Sequence, residues 1–235
     1  MSDFQYDGRD LEVTSFAKNY HEWIADLFRS VFGKRVAEVG AGIGSFSELI
    51  LQAPIDELLV IEPSKEMFEE LQKNLAYDTR VTCKNDFFTK VSGECNTYFD
   101  SVVYVNVLEH VEDDAGELAR VYESLAPGGH VCVFVPALPA LYSAHDKAIG
   151  HYRRYTKKGL RALLTTAGFE VKRLSFFDFA GIIPWYVVVK FLRKSPSAGN
   201  VSLYDNVVVP ISRTMETIIH PPIGKNLIAI GKKVG

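Results

Sequence analysis

The residues with the most chemistry in them stand in two groups. The first is Glu38-Val39-Gly40-Ala41-Gly42-Ile43-Gly44, which closes a short β-rich run at Arg35–Val39. Glycines at a strand-to-helix junction let the backbone turn tightly and let a ligand approach the helix that follows. Position 45 is Ser, so the loop departs from a dinucleotide fingerprint, and no Gly-Lys-Ser or Gly-Lys-Thr follows to grip phosphate. A carboxylate at Glu38 repels a pyrophosphate and suits a cation. The ligand best matched is a nucleoside with positive charge and no phosphate. Glu62 ends the next apolar run, 18 residues after Gly44, where an acid accepts from ribose hydroxyls, and Pro63 turns the chain away. In Asn85-Asp86-Phe87 the carboxylate can accept from an exocyclic amine and the ring can cover a base.

The second group is His145-Asp146-Lys147 with His151-Tyr152-Arg153-Arg154-Tyr155. His145 or His151 can act as general base. Arg153 or Arg154 can grip an anionic group, with Asp146, Tyr152 and Tyr155 beside them as substrate contacts. The same residues also read as a polar cap in which Arg and Asp pair with each other. His110, next to Glu109, is a third candidate base.

These residues need elements to position them. Thr14 to Phe32 has helical spacing, with Gly33 as its C′ stop. Strands then alternate with helices: Glu57–Ile61, a helix from a Ser64 cap to Ala76, Arg80–Lys84, Ser101–Val105, a helix over Val111–Leu125 ended by Pro127-Gly128-Gly129, and His130–Val135. That rhythm predicts βαβ units, hence a parallel sheet with helices on both faces. It breaks over 136–155 and 177–222, which flank a Thr156-capped helix and a strand at Phe169–Phe176; a last strand covers Asn226–Gly231.

Composition narrows the field. The chain has 235 residues, 47% hydrophobic and 23% charged, with formal net charge −3. Disorder and a disulfide scaffold are excluded. No basic field exists for a nucleic acid. Cys83, Cys95 and Cys132 form no CxxC and read as reduced thiols. The first twelve residues lack an apolar core for a signal peptide. Phe179–Val189 is too short to span a bilayer, which takes ~20 residues, although its apolar side chains suit weak contact with a membrane surface. A cytoplasmic protein is expected.

Taken in order, EVGAGIGSF (38–46), LLVIEP (58–63), NDF (85–87), FDSVVYVNVLEHVEDD (99–114) and LAPGGHVCVFVP (125–136) resemble the successive motifs of class I S-adenosylmethionine-dependent methyltransferases. The resemblance implies a Rossmann-like, seven-stranded, mostly parallel sheet whose last strand runs antiparallel. It implies one methyltransferase domain over 1–235, with the N-terminal helix 14–32 and the insertions 136–155 and 177–222 capping the acceptor site. S-adenosylmethionine is then the cofactor. Glu38, Gly40, Ala41, Gly42 and Gly44 would face its methionine part, Glu62 with Pro63 its ribose, Asp86 and Phe87 its adenine. Met67 would join them, and Asn106, Val107 and Leu108 would floor the sulfonium. Asn106, Glu109 and His110 imitate the ExxEH spacing of metal-assisted relatives. The first acid is missing, so no metal is expected. The reading is methyl transfer to a small acceptor, anionic if an arginine grips it, at oxygen in natural-product or glycan biosynthesis. The alternatives are a non-catalytic donor-binding regulator and a nicotinamide oxidoreductase. The oligomeric state is not legible.

Overall fold

The computed structural model describes residues 17–193 and 198–234. Seven strands form one sheet: β1 Arg35–Val39, β2 Glu57–Ile61, β3 Val81–Lys84, β4 Phe99–Val105, β5 Leu125–Pro136, β6 Phe169–Phe177 and β7 Asn226–Lys233, in the order β3-β2-β1-β4-β5-β7-β6. β1 pairs in parallel with β2 and β4, β2 with β3, and β4 with β5. β7 slots in antiparallel between β5 and β6. This is the expected topology, and it leaves the C-terminal ends of β1, β2, β3, β4 and β5 on one edge.

Both faces of the sheet are covered, which is why β1, β4 and β5 read as continuous apolar runs. Alternate residues of each strand feed opposite cores. On one face Val36, Val103, Cys132 and Ile228 pack with α1 (Lys18–Phe28), α2 (Ser47–Ile50) and α3 (Lys65–Leu75). On the other, Ala37, Val102, Val131 and Ala229 pack with α4 (Phe88–Val91), α5 (Asp114–Ser124) and α7 (Lys157–Thr166). Thr156 caps α7 by accepting from the Gly159 N–H, and Gly168 stops it with φ +98°.

Several local expectations are corrected. The first helix covers Lys18–Phe28 and tightens into a 3₁₀ turn at Arg29–Val31; residues 14–16 lie outside the described residues. Gly33 is not left-handed. It is there because a Cβ would fall 2.2 Å from Asp100 Cβ, where the start of β1 crosses β4. Ser64 holds the N-cap position of α3, but its side chain makes no capping bond. Pro127-Gly128-Gly129 is not a turn ahead of the strand. β5 already pairs Leu125 with Phe99 before His130 pairs with Ser101, so 126–129 bulge inside the strand, with Gly128 at φ +81°.

The irregular stretches carry short helices. α6 (Ala144–Ala148) is held by a capping box between Ser143 and Asp146. Residues Ile182–Phe191 and Ala198–Ile218 mix α and π turns. The second of these clamps α1. Asp205 accepts the backbone N–H groups of Asn19 and Tyr20 at 2.9 Å each, capping from 185 residues away donors that the first turn leaves unpaired. Among the described residues no helix is long and apolar enough to cross a membrane.

Replacing Gly33 by Ala should destabilise the protein by about 1–3 kcal/mol through overpacking against Asp100. Chemical denaturation checks this, and an unchanged midpoint contradicts the close approach.

Candidate functional site

A cavity of about 850 Å³ opens over the C-terminal ends of β1, β2 and β4, where open α/β sheets take ligands. Its first half is built by the register of β1 on β2. The Ile61 carbonyl accepts from Gly40 N at 2.8 Å and Ala41 N at 3.2 Å, folding the glycine loop back over the end of β2. Gly40 sits at φ +69°, and a Cβ there would meet Val107 Cγ2 at 2.5 Å. Glu62 lies under the loop. Its Oε2 accepts from Gly42 N and its Oε1 from Ser64 N, both at 2.8 Å. These bonds explain the idle Ser64 side chain, since the helix entry is anchored through Glu62 instead.

Glu38 is buried at the cavity wall and its carboxylate accepts a hydrogen bond from the Ser47 hydroxyl. Burial pushes Glu38 up to about 8, the Ser47 bond partly offsets this, and nearby Glu62 adds to it. Burial also raises Glu62, against its two backbone bonds. Two desolvated carboxylates facing one cavity suit a ligand with positive charge and hydroxyl donors. Ala41, Gly42, Pro63, Met67, Asp86, Phe87, Asn106 and Val107 also line it. Asp86 accepts from Phe87 N at 2.8 Å and pairs with Lys90 at 3.0 Å. Asn106 is left-handed at φ +55° and donates its N–H to the Phe134 carbonyl. Gly44 and Leu108 do not line the cavity, which corrects two expectations. Gly44, at φ +94°, is where Leu71 and Leu75 pack, and Leu108 is fully buried beneath the site.

The second half is roofed by the insertions and α1. His110, His145 and His151 all line it. The His145 ring meets Trp185 edge-on at 5.7 Å. His110 and His151 rings meet edge-on at 4.5 Å. Burial, with His151 beside it, pushes His110 down to about 3, so it stays neutral and is a weak base.

The four expected substrate contacts Asp146, Tyr152, Arg153 and Tyr155 do not reach the cavity. Asp146 is fully buried and forms the hub of the segment. It accepts from Arg154 Nε at 2.8 Å and from Ser143, and it lies 3.2 Å from His151 Nδ1. Burial raises Asp146, but His151, Arg154 and Ser143 more than offset that and hold it well below the usual carboxylate range. Arg153 turns outward to Asp114 at 2.7 Å. Tyr155 donates to Asp114 at 2.8 Å and to the Leu108 carbonyl at 3.1 Å. Tyr152 is exposed. Arg154 does line the cavity, but its charge is taken by Asp146.

Most other lining residues come from the segments expected to cap the acceptor site, none of them named singly as a site residue. Tyr20 and His21 come from α1, Trp185, Val188 and Val189 from the 182–191 stretch, Tyr204 from the next, and Lys225 and Asn226 from the start of β7. Tyr20 and Tyr204 both donate to Asp178, at 3.1 and 2.5 Å, and Lys225 pairs with it at 3.0 Å. The Trp185 indole N–H is buried without a partner. Nothing in the spacing of these residues marks them, because they converge from four distant segments.

Comparisons with known proteins now fit this geometry. A family model described as a methyltransferase domain matches residues 37–131. The ubiquinone biosynthesis O-methyltransferase of Bordetella avium is 29% identical over 114 residues, 47% of this chain and 46% of that one. That of Aromatoleum aromaticum is 31% identical over 134 residues, 51% of this chain and 54% of that one. The matched stretch thus spans about half the length of these curated relatives. A solved Burkholderia thailandensis 1,6-didemethyltoxoflavin-N1-methyltransferase, bound to 1,6-didemethyltoxoflavin and S-adenosylhomocysteine, is 18% identical, with TM-score 0.62 over 97% of this chain and 83% of that one. The chain has the doubly wound fold of nucleoside-binding α/β proteins. More narrowly, residues 37–131 match the methyltransferase-domain model, and the fold is shared with solved methyltransferases.

Replacing Asp146 by Ala strands a buried Arg154 and releases His151. A loss of about 3–5 kcal/mol is expected at neutral pH. Because Asp146 is depressed, its contribution is present above the ordinary carboxylate range and is lost as pH falls through and below it. The gap between variant and wild type should therefore narrow in acid, as followed by denaturant unfolding.

Proposed function

We propose that the protein transfers a methyl group from S-adenosylmethionine to a small, mostly apolar acceptor, at oxygen. The observation that carries this is one cavity with two different ends: a pair of buried carboxylates under a glycine loop, and a histidine-bearing wall closed by apolar cap residues. The residues present fit the donor. Gly40 lets the loop close against Val107 where a Cβ would clash, Glu38 suits a cationic amino-acid part, and Glu62 can still accept from ribose hydroxyls through its free lone pairs. In this reading Asp86 and Phe87 hold the adenine, Pro63 and Met67 flank it, and Asn106 and Val107 floor the reacting end. The donor when bound supplies an already activated methyl group. The protein then needs chiefly to align the acceptor, exclude water and take up a proton.

Oxygen as the target rests on the two ubiquinone-pathway relatives, whose names print that chemistry. An uncharged acceptor fits better than an anionic one, because Arg153 and Arg154 are spent on Asp114 and Asp146. The unpartnered Trp185 N–H is available to an acceptor carbonyl or ether oxygen. We read 1–235 as one methyltransferase domain whose insertions choose the acceptor. The free state of Cys83, Cys95 and Cys132 supports a reducing, cytoplasmic setting.

Calorimetric titration should give tight binding of S-adenosylmethionine and none of NAD; the reverse overturns the reading. Glu62→Ala should weaken donor binding ~10- to 100-fold, the scale of a charged hydrogen bond. With Glu38 near 8, it is largely protonated at pH 7 in the empty site, and a bound cation favours its ionised form. Donor binding should therefore release protons at pH 7 and tighten as pH rises towards 8, seen as a heat that depends on buffer ionisation enthalpy. Labelled-methyl transfer to fractionated cell extract would identify the product, and label confined to nucleic acid would sink the small-molecule claim.

A further inference from the structure

Glu109 plays no part in the donor cradle, yet it sits at the cavity wall. It is fully buried, and no other residue donates a hydrogen bond to either carboxylate oxygen. An unpaired buried carboxylate costs several kcal/mol, and native proteins rarely keep one without a use. Its Oε1 lies 3.8 Å from His151 Nε2, close enough to interact electrostatically but too far for a hydrogen bond. The other nitrogen of His151, Nδ1, faces Asp146 at 3.2 Å. Asp146 is already ionised against Arg154, so it holds the ring proton on Nδ1 and turns the Nε2 lone pair towards Glu109. Two lone pairs repel across this gap; a proton on either group turns the repulsion into attraction and draws the pair into hydrogen-bond range.

We propose that Glu109 and His151 form a proton-sharing pair that carries one proton at rest and takes up a second, through His151, when the acceptor is methylated. The proposal rests on the methyl-transfer reading. In the step, the acceptor X–H becomes X–CH₃ with the electron pair of its X–H bond. The CH₃–S bond breaks, and its pair neutralises the sulfonium. The resting proton moves onto Glu109, and the proton leaving X goes to His151, which becomes an imidazolium against Asp146. Loss of one proton to water resets the pair. Glu109 acts through His151 and is therefore a positioning residue.

The surroundings agree. Burial pushes Glu109 up to about 7, while His151, its own backbone N–H and Arg154 pull it down and Asp146 pushes it further up. His110, the other group packed on His151, stays neutral and does not compete for the proton.

The test uses the full chain with Glu109→Gln and His151→Gln variants. Infrared spectra of wild type should show a buried carboxylic acid band that disappears as pH rises through about 7. It should be absent in Glu109→Gln and should persist to higher pH in His151→Gln, where no imidazolium can form. With a labelled donor and the extract fraction that accepts label, Glu109→Gln should lose ~10²- to 10⁴-fold in kcat/KM. It should also lose the acid limb of the pH profile near 7 and keep the donor Kd of wild type. A wild-type rate and pH profile in Glu109→Gln overturns the proposal, as does the absence of the band. So does a rate that falls with a chelator and returns with a divalent cation, which would give Glu109, His110 and His151 to a metal. If wild type transfers no label, the methyl-transfer reading fails, and the infrared band by itself decides whether the pair shares a proton.

Discussion

The parallel pairing of β1 with β2 is the constraint on which the rest of the site depends. It carries the ladder one step past the strands, so that the Ile61 carbonyl takes the N–H groups of Gly40 and Ala41. The loop is thereby folded over β2, and Glu62 meets the N–H of Gly42. A slip of one residue would turn Glu38 and Glu62 to the opposite faces and dissolve the cradle. The flanking pairs, β1 with β4 and β4 with β5, bring Asn106 and the 107–110 turn to the same edge.

Burial then gives the chemistry its character. Glu38, Glu62, Glu109 and Asp146 are all withdrawn from water, but each meets a different environment. Asp146 has a guanidinium and stays ionised. Glu62 has two backbone donors. Glu38 has one hydroxyl. Glu109 has none and is raised most simply by desolvation. Similar carboxyl groups thus acquire separate tasks from their surroundings.

The cap is tied down by polar groups placed across the whole chain. Asp205 caps α1, and Asp178 collects Tyr20, Tyr204 and Lys225. This leaves apolar faces of the 182–191 stretch in the cavity while Ile183, Tyr186, Val187 and Phe191 remain exposed outside. The glycine-loop end and the cap end of the cavity are therefore built from different segments.

The glycine-loop end of the cavity was legible from local sequence, because its physics is local. Glycines at 40 and 42, an acid at 38 and an acid closing the next strand follow from one strand–loop–helix unit and its neighbour. The parallel sheet was legible for the same reason, since βαβ connections restrict topology strongly. The 145–155 cluster shows the opposite case. Its composition left a substrate grip and a self-paired polar cap both open, and ion pairing decided for the cap, since whether a charge is spent on a neighbour depends on distances that composition does not encode. Arg153 and Tyr155 went to Asp114, and Asp146 became a structural hub. Glu109 passed as part of a common motif because its significance is an absence of partners, which exists only once the chain is folded. The sequence by itself determined a fold and a glycine loop flanked by two acids; the tertiary structure decided which ionisable groups are left unsatisfied facing the cavity, since desolvation and pairing are properties of the packed chain.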